Sequence, residues 1–163
     1  DVGTIDSLWE ANMDLLDPNV PLDLYDDSWK IYARNPVMPP QYVADGAVTQ
    51  NAMISEGCYV EGEVDFSILF AGVTVEKGAV VHDSIVMPGS VIKAGAVVEY
   101  SIVAEDVVVG ENALVGCRPE NMEDKQNWGV TVIAKGIQIG KGAKVPAKAM
   151  IEQDVPEVSG DDE

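Results

Sequence analysis

Large rings are scarce in this chain: aromatics make up 6% of its 163 residues, although 47% are hydrophobic. A core filled by stacked rings is therefore excluded, and the interior has to be built from Val, Ile, Leu and Ala. Histidine is scarcer still. With His82 alone, no two-histidine metal site can be assembled, and at most one Ser-His-Asp arrangement. Positive charge is also short: ten Lys and Arg stand against 28 Asp and Glu, a formal net charge of −18. Without a basic stripe, binding to nucleic acid or to an anionic membrane surface is not expected. No apolar run approaches the ~20 residues of a membrane-spanning helix, and no leader pattern is visible, so a cytoplasmic location is expected. The two cysteines, Cys58 and Cys117, are far apart with no neighbour at metal-ligand spacing. They read as buried thiols of a reducing compartment. Neither a Walker loop nor a G-x-G-x-x-G after a strand occurs.

What the chain has instead is an internal repeat. A shift of 17 residues superimposes Ser67-Ile68-Leu69, Ser84-Ile85-Val86 and Ser101-Ile102-Val103, and takes Val75 to Ile92 to Val109. The aliphatic markers Leu69, Val75, Val81, Val86, Ile92, Val98, Val103, Val109 and Val115 advance in steps of 6, 6 and 5. Each step suits one short strand and one turn, and three steps close a triangular coil whose neighbours stack about 4.8 Å apart. A sharp corner needs φ > 0, which Gly, Asn and Asp tolerate. Such a residue stands three places after eleven of sixteen markers: Asn51, Gly57, Gly72, Gly78, Gly89, Gly95, Asp106, Asn112, Gly136, Gly142 and Asp154. The fold class expected is all-β, a parallel β-helix of hexapeptide repeats with 17-residue coils.

Along the chain, residues 1–16 contain an amphipathic helix over 4–16, with Ile5, Leu8, Trp9, Met13 and Leu16 on one face, Thr4 or Asp6 as cap, and Asp17-Pro18 as stop. One helix cannot bury that face alone, so its partner is expected to be the end of the solenoid or a further domain. Residues 17–45, with Pro18, Pro21, Pro36, Pro39 and Pro40, read as an extended linker in which Trp29 to Tyr32 form a short strand, anchored by Trp29, Tyr32 and Tyr42 packing inward. Coils are expected over 46–156, with markers starting at Val48, Ile54 and Val60. Four extra residues between Val60 and Leu69 predict a small loop at Gly62–Asp65. The polar stretch 117–129 interrupts the coils, which resume at Ile133, Ile139, Val145 and Ile151. Lys135, Lys141, Lys144 and Lys148 on these last coils read as solvated side chains. Residues 157–163 form an acidic, mobile tail. The start at Asp1 without Met suggests a processed product or a piece of something longer.

His82 is the one candidate base. It follows marker Val81, where side chains point outward, and coil-borne histidines serve hexapeptide acyltransferases as general bases; Asp83 beside it also fits a surface polar pair.

The opening Asp1-Val2-Gly3-Thr4-Ile5-Asp6-Ser7-Leu8-Trp9-Glu10-Ala11-Asn12-Met13-Asp14-Leu15 resembles the segment leaving the catalytic domain of the ADP-glucose pyrophosphorylase (glucose-1-phosphate adenylyltransferase) family. The linker Tyr25-Asp26-Asp27-Ser28-Trp29-Lys30-Ile31-Tyr32, Asn35-Pro36 and Pro39-Pro40 is similar to that of the same family, and the coils to its C-terminal left-handed β-helix. The hand follows from the resemblance alone, since crossover rules favour the opposite one. The resemblance implies a parent enzyme that makes ADP-glucose and pyrophosphate from ATP and glucose 1-phosphate in glycogen synthesis. Its nucleotidyltransferase domain would lie outside this chain, and the coils would serve assembly, expected as a homotetramer, and regulation. It also implies that Asp1 helps hold a catalytic Mg²⁺ in the parent, with no cofactor bound by this piece alone. Family effectors are phosphorylated metabolites, whereas this chain has only Arg34 and Arg118 as arginines, so weak effector binding is expected. A hexapeptide acyltransferase using His82, or another sugar-phosphate nucleotidyltransferase, are the alternatives.

Overall fold

The computed structural model describes residues 3–29, 32, 34, 36–120 and 129–158. Among the described residues, eighteen short strands form three parallel six-stranded sheets, each collecting every third strand. The result is a three-faced, left-handed β-solenoid of about six turns. Face one carries Tyr42–Val43, Tyr59–Val60, Thr74–Val75, Val91–Ile92, Val108–Val109 and Gln138–Ile139. Face two carries Val48–Gln50, Glu63–Asp65, Val80–His82, Val97–Glu99, Leu114–Val115 and Lys144–Val145. Face three carries Met53–Ile54, Ile68–Leu69, Ile85–Val86, Ser101–Val103, Thr131–Ile133 and Met150–Ile151.

The 17-residue repeat is the vertical register. Val75, Ile92 and Val109 are direct partners on adjacent rungs, and so are Val81 with Val98 and Val86 with Val103. All point inward and are wholly buried. Each contributes on the order of 1.5–3 kcal/mol by leaving water. Two residues before each marker a smaller side chain fills the prism: Ala79, Ala96, Ala113 and Ala143 ahead of face two, and Ser67, Ser84, Ser101 and Thr131 ahead of face three. The buried hydroxyls are satisfied along the stack. Ser84 N donates to Ser67 Oγ (3.1 Å), Ser101 N donates to Ser84 Oγ (3.2 Å), and each serine hydroxyl donates to a backbone carbonyl two residues back. Ten of the eleven expected corner residues have φ > 0; Asp154 does not.

The structure corrects the expected loop at Gly62–Asp65. Glu63–Asp65 is a strand of face two, with Val64 completely buried between Thr49 and Val81. The inward residue of the first rung is accordingly Thr49, and Val48 faces out. From Val60 to Val64 the chain takes four residues where other coils take six, so this coil cuts its corner. Gly62 makes the short cut sterically feasible. A Cβ there would lie 2.3 Å from Ala79 O and 2.7 Å from Glu76 O.

Helix α1 spans Ile5–Met13 and runs into a 3₁₀ turn, Asp14–Leu16. Thr4 caps it, its Oγ1 accepting from Ser7 N at 3.1 Å. The helix does not cover an end of the solenoid, one of the two partners the sequence suggests. Trp9, Met13 and Leu16 pack on the outward side chains of face three, Ile68, Ile85 and Ile102, together with Val130. In the linker, Trp29 and Tyr32 are 77% and 89% exposed and Tyr42 is 52% exposed, against the expected inward packing. The aspartates hold this segment locally instead: Asp17, Asp23 and Asp26 carboxylates accept from the backbone N of Asn19, Tyr25 and Ser28, each at 2.8 Å. Tyr42 stacks on Tyr59 (5.1 Å between centroids), so its ring is used along face one. The strand expected at Trp29–Tyr32 lies partly outside the described residues. At the other end Val155 bridges to Ile139, and Val158 N donates to Lys141 O at 2.9 Å; Asp161, Asp162 and Glu163 lie outside the described residues.

Candidate functional site

The corner between faces two and three joins polar and aromatic side chains to helix α1. Because this step has five residues, the turn is tighter, and its bend falls two places after the marker. Asn51, Phe66, Asp83 and Tyr100 stand there with φ of 42°, 43°, 48° and 46°. Asn and Asp tolerate this conformation. Phe66 and Tyr100 do not, at a cost of about 1–2 kcal/mol each. Both aromatics belong to the cluster under α1. Trp9 stacks on Tyr100 with centroids 4.9 Å apart, and its indole Nε1–H donates to Asp83 O at 2.8 Å. This column is not among the residues the sequence singles out. Its signal was the 17-residue recurrence Phe66, Asp83, Tyr100 beside the serine column.

His82 sits one residue earlier on face two, pointing outward, and its Nε2 lies 2.9 Å from Glu63 Oε1. Its hydrogen-bond partner is thus Glu63, on the rung of the shortened coil, and the Asp83 expected beside it stands in the bend between faces two and three. Asp65 and Glu99 flank His82 on adjacent rungs. Burial pushes the Asp83 carboxyl above the usual carboxylate range, opposed by the charges of Arg118 and His82. Burial likewise raises the Tyr100 phenol, with Asp83 acting in the same direction.

The cut corner leaves a notch of about 520 Å³ between the first and third coils, lined in part by Asp45, Glu61, Gly62, Glu63 and Lys77. Its charge is mostly negative, which disfavours a phosphorylated ligand. Of the four C-terminal lysines, Lys141 pairs with Glu111 at 3.0 Å and Lys135 approaches Asp106 at 3.9 Å. Cys58 is buried, its Sγ donating to Phe70 O at 3.1 Å, and burial raises its thiol pKa. Cys117 is exposed, correcting the expectation that both thiols are buried. It lies just beyond Gly116, where the chain leaves the prism, so no core is available to it.

Among the described residues no group of three or more His, Cys, Asp and Glu side chains is placed to hold a metal ion. Asp1 lies outside the described residues. No helix among the described residues is long and apolar enough to cross a membrane. What the arrangement does chemically is bind and order: an aromatic stack and a backbone carbonyl acceptor fix a helix to the side of a rigid prism.

Known proteins share both the coils and their sequence. The chain is 57% identical over 84 residues to the glucose-1-phosphate adenylyltransferase of Clostridium beijerinckii, 59% over 81 residues to that of Geobacillus stearothermophilus, and 56% over 84 residues to that of Bacillus mycoides. These matches cover 52%, 50% and 52% of this chain, and 22%, 21% and 22% of the relatives. The match therefore spans about a fifth of the length of these curated relatives, in their C-terminal part. The family described as "GlmU-like, C-terminal hexapeptide" matches residues 39–139, which is the solenoid from its first rung to Ile139. By that match the chain belongs to the GlmU-like C-terminal hexapeptide family.

Proposed function

We propose that this chain is the C-terminal coil part of a glucose-1-phosphate adenylyltransferase, serving assembly and regulation while catalysis is carried out by a nucleotidyltransferase domain outside it. The observation that carries this reading is the 56–59% identity to enzymes of that name over half the chain. The parent joins ATP and glucose 1-phosphate to give ADP-glucose and pyrophosphate, in the cytoplasm, as a homo-oligomer expected to be a tetramer. Mg²⁺ in the parent neutralises phosphate charge. Asp1 alone is no octahedral oxygen set, so the remaining ligands come from beyond this chain and from substrate phosphates.

The coils suit this division of labour physically. Three hydrogen-bonded faces make a stiff rod, and the outward row of face two, Val80, Val97 and Leu114, offers a flat surface for subunit packing. The acidic balance argues for weak binding of phosphorylated effectors by this part alone. His82 is held by Glu63, which supports a packing role over acyl transfer.

The test is an assay of the chain with ATP, glucose 1-phosphate and Mg²⁺ beside the full-length parent. The parent is expected to release pyrophosphate and the chain none. Turnover by the chain at the parent's rate would overturn the reading.

A further inference from the structure

An aspartate followed by a small residue can react with its own backbone. The nitrogen of the following residue attacks the aspartate Cγ, and Gly favours the attack because it has no Cβ to block the approach and leaves the backbone free to turn. Among the described residues, Asp precedes Gly or Ser at Asp6–Ser7, Asp27–Ser28, Asp45–Gly46 and Asp83–Ser84. At all but one of these steps the attacking nitrogen is already engaged. Ser7 N donates to Thr4 Oγ1 at 3.1 Å, Ser28 N to Asp26 Oδ1 at 2.8 Å, and Ser84 N to the buried Ser67 Oγ at 3.1 Å.

Asp45–Gly46 differs. Both residues are exposed, in the turn between the strands Tyr42–Val43 and Val48–Gln50. The bond that closes this turn runs from Ala47 N to Ala44 O at 3.1 Å, and among the described residues Gly46 N donates to nothing. A Cβ placed on Gly46 would meet no atom within 4 Å. Asp45 lines the notch left by the cut corner, so its carboxyl has room to swing towards the backbone. The turn also belongs to the first rung, whose strands are paired on one side only. Such end elements open locally at lower free energy than central ones.

We propose that Asp45–Gly46 is a modification site at which the folded chain isomerises to isoaspartate. Gly46 N bonds to Asp45 Cγ; its proton and the hydroxyl of the protonated carboxyl leave together as water, giving a succinimide. Water then adds to either imide carbonyl. Breaking the bond at Cγ restores aspartate. Breaking the bond at the backbone carbonyl carbon leaves the main chain running through Cβ and Cγ, with a free α-carboxylate. Nothing is oxidised or reduced, and water is the only co-reactant. The product carries one extra methylene in the main chain. It falls between Ala44, whose N donates to Val60 O at 2.8 Å, and Val48, whose N donates to Gly62 O at 3.1 Å. A turn fitted to those two bonds has no place for another atom, so isomerisation loosens the first rung from the second. The deeper files of Val75, Ile92 and Val109 are untouched, because they pair with rungs on both sides. The site goes beyond the adenylyltransferase reading and does not depend on it.

The test is to age the chain folded and, in parallel, unfolded in guanidinium chloride. Isoaspartate is then located in peptide digests by electron-transfer fragmentation and by methyl transfer from S-adenosylmethionine with an isoaspartyl methyltransferase. In the folded chain it is expected at Asp45 and not at Asp6, Asp27 or Asp83, which react only when unfolded. Asp45→Glu, whose longer side chain closes the imide ring poorly, is expected to lose the folded-state signal. The separated isomerised form is expected to lose amide protection at Ala44 and Val48, with Ile92 and Val109 unchanged. Absence of isoaspartate at Asp45 in the folded chain, an equal yield at Asp83 in the folded chain, or unaltered protection of Ala44 and Val48 after isomerisation would overturn the proposal.

Discussion

Replacing Gly62 by Ala tests the shortened coil at one methyl group. Gly62 does not have a left-handed φ, so alanine costs it nothing in backbone conformation. The cost is steric. The added carbon would meet Ala79 O at 2.3 Å, Glu76 O at 2.7 Å and Val75 Cγ1 at 3.0 Å. The two oxygens are backbone atoms of the coil below, and both already accept: Ala79 O from Glu63 N at 2.9 Å, Glu76 O from Ala79 N at 3.0 Å. Relief therefore requires opening the rung that holds Val64. Overpacking of this kind typically costs about 1–3 kcal/mol, and the rigidity of these neighbours places Gly62→Ala at the upper end of that range. Gly78 is the internal control. Its φ is +77° and the nearest atom to an added Cβ is 3.8 Å away, so Gly78→Ala meets only the left-handed penalty of about 1–2 kcal/mol. Asn at 78 should recover much of that loss, whereas Asn at 62 should be worse than Ala. Urea unfolding followed by circular dichroism reads all four variants. A Gly62→Ala protein within 0.5 kcal/mol of the parent would refute the cut-corner account, as would rescue of position 62 by Asn.

Asp83 gives a pH prediction whose sign follows from burial. Its folded pKa is raised above the ordinary 3.8, so its favourable contribution is full below that value and is lost as pH rises through the folded one. Asp83→Asn keeps a residue that tolerates φ 48° and keeps the carbonyl that Trp9 uses. It should raise the melting temperature at pH 7 and flatten its dependence between pH about 4 and 7; a lower melting temperature would mean that attraction to Arg118 outweighs burial. The cysteines should separate cleanly under a maleimide at pH 7, Cys117 reacting and Cys58 protected until unfolding. Equal labelling of both in the folded chain would contradict the packing of Cys58.

The repeat was legible because inward positions tolerate only Val, Ile and Leu and corners favour Gly, Asn and Asp, so both leave period marks. Val64 was hidden because it lies between Glu63 and Asp65. Three charged-apolar-charged residues look like a loop until the outward direction of both acids on a strand is recognised. Starting the count at Val48 instead of Thr49 compounded the misreading. The dock for α1 left a mark that went unused: Ile68, Ile85 and Ile102 put a second apolar residue on each rung of face three, and an outward file of isoleucines needs a cover. The amphipathic helix declared that it had a face to bury without saying against what. The exposed rings of the linker could not be foreseen from composition, since local aspartate turns and packing compete for the same segment. The resemblance to the adenylyltransferases was carried by the opening peptide and the linker, whose residues no periodicity specifies, whereas the family match lies on the coils, residues 39–139.

Methyl-labelled Val and Ile with nuclear Overhauser contacts tests the stacked register most directly. The account predicts methyl contacts running from Val75 to Ile92 to Val109 in one continuous file, with Val91 connected to Val108 on the outside and to neither Val75 nor Val109. Contacts from Val91 methyls to Val75, or silence between Ile92 and Val109, would contradict it.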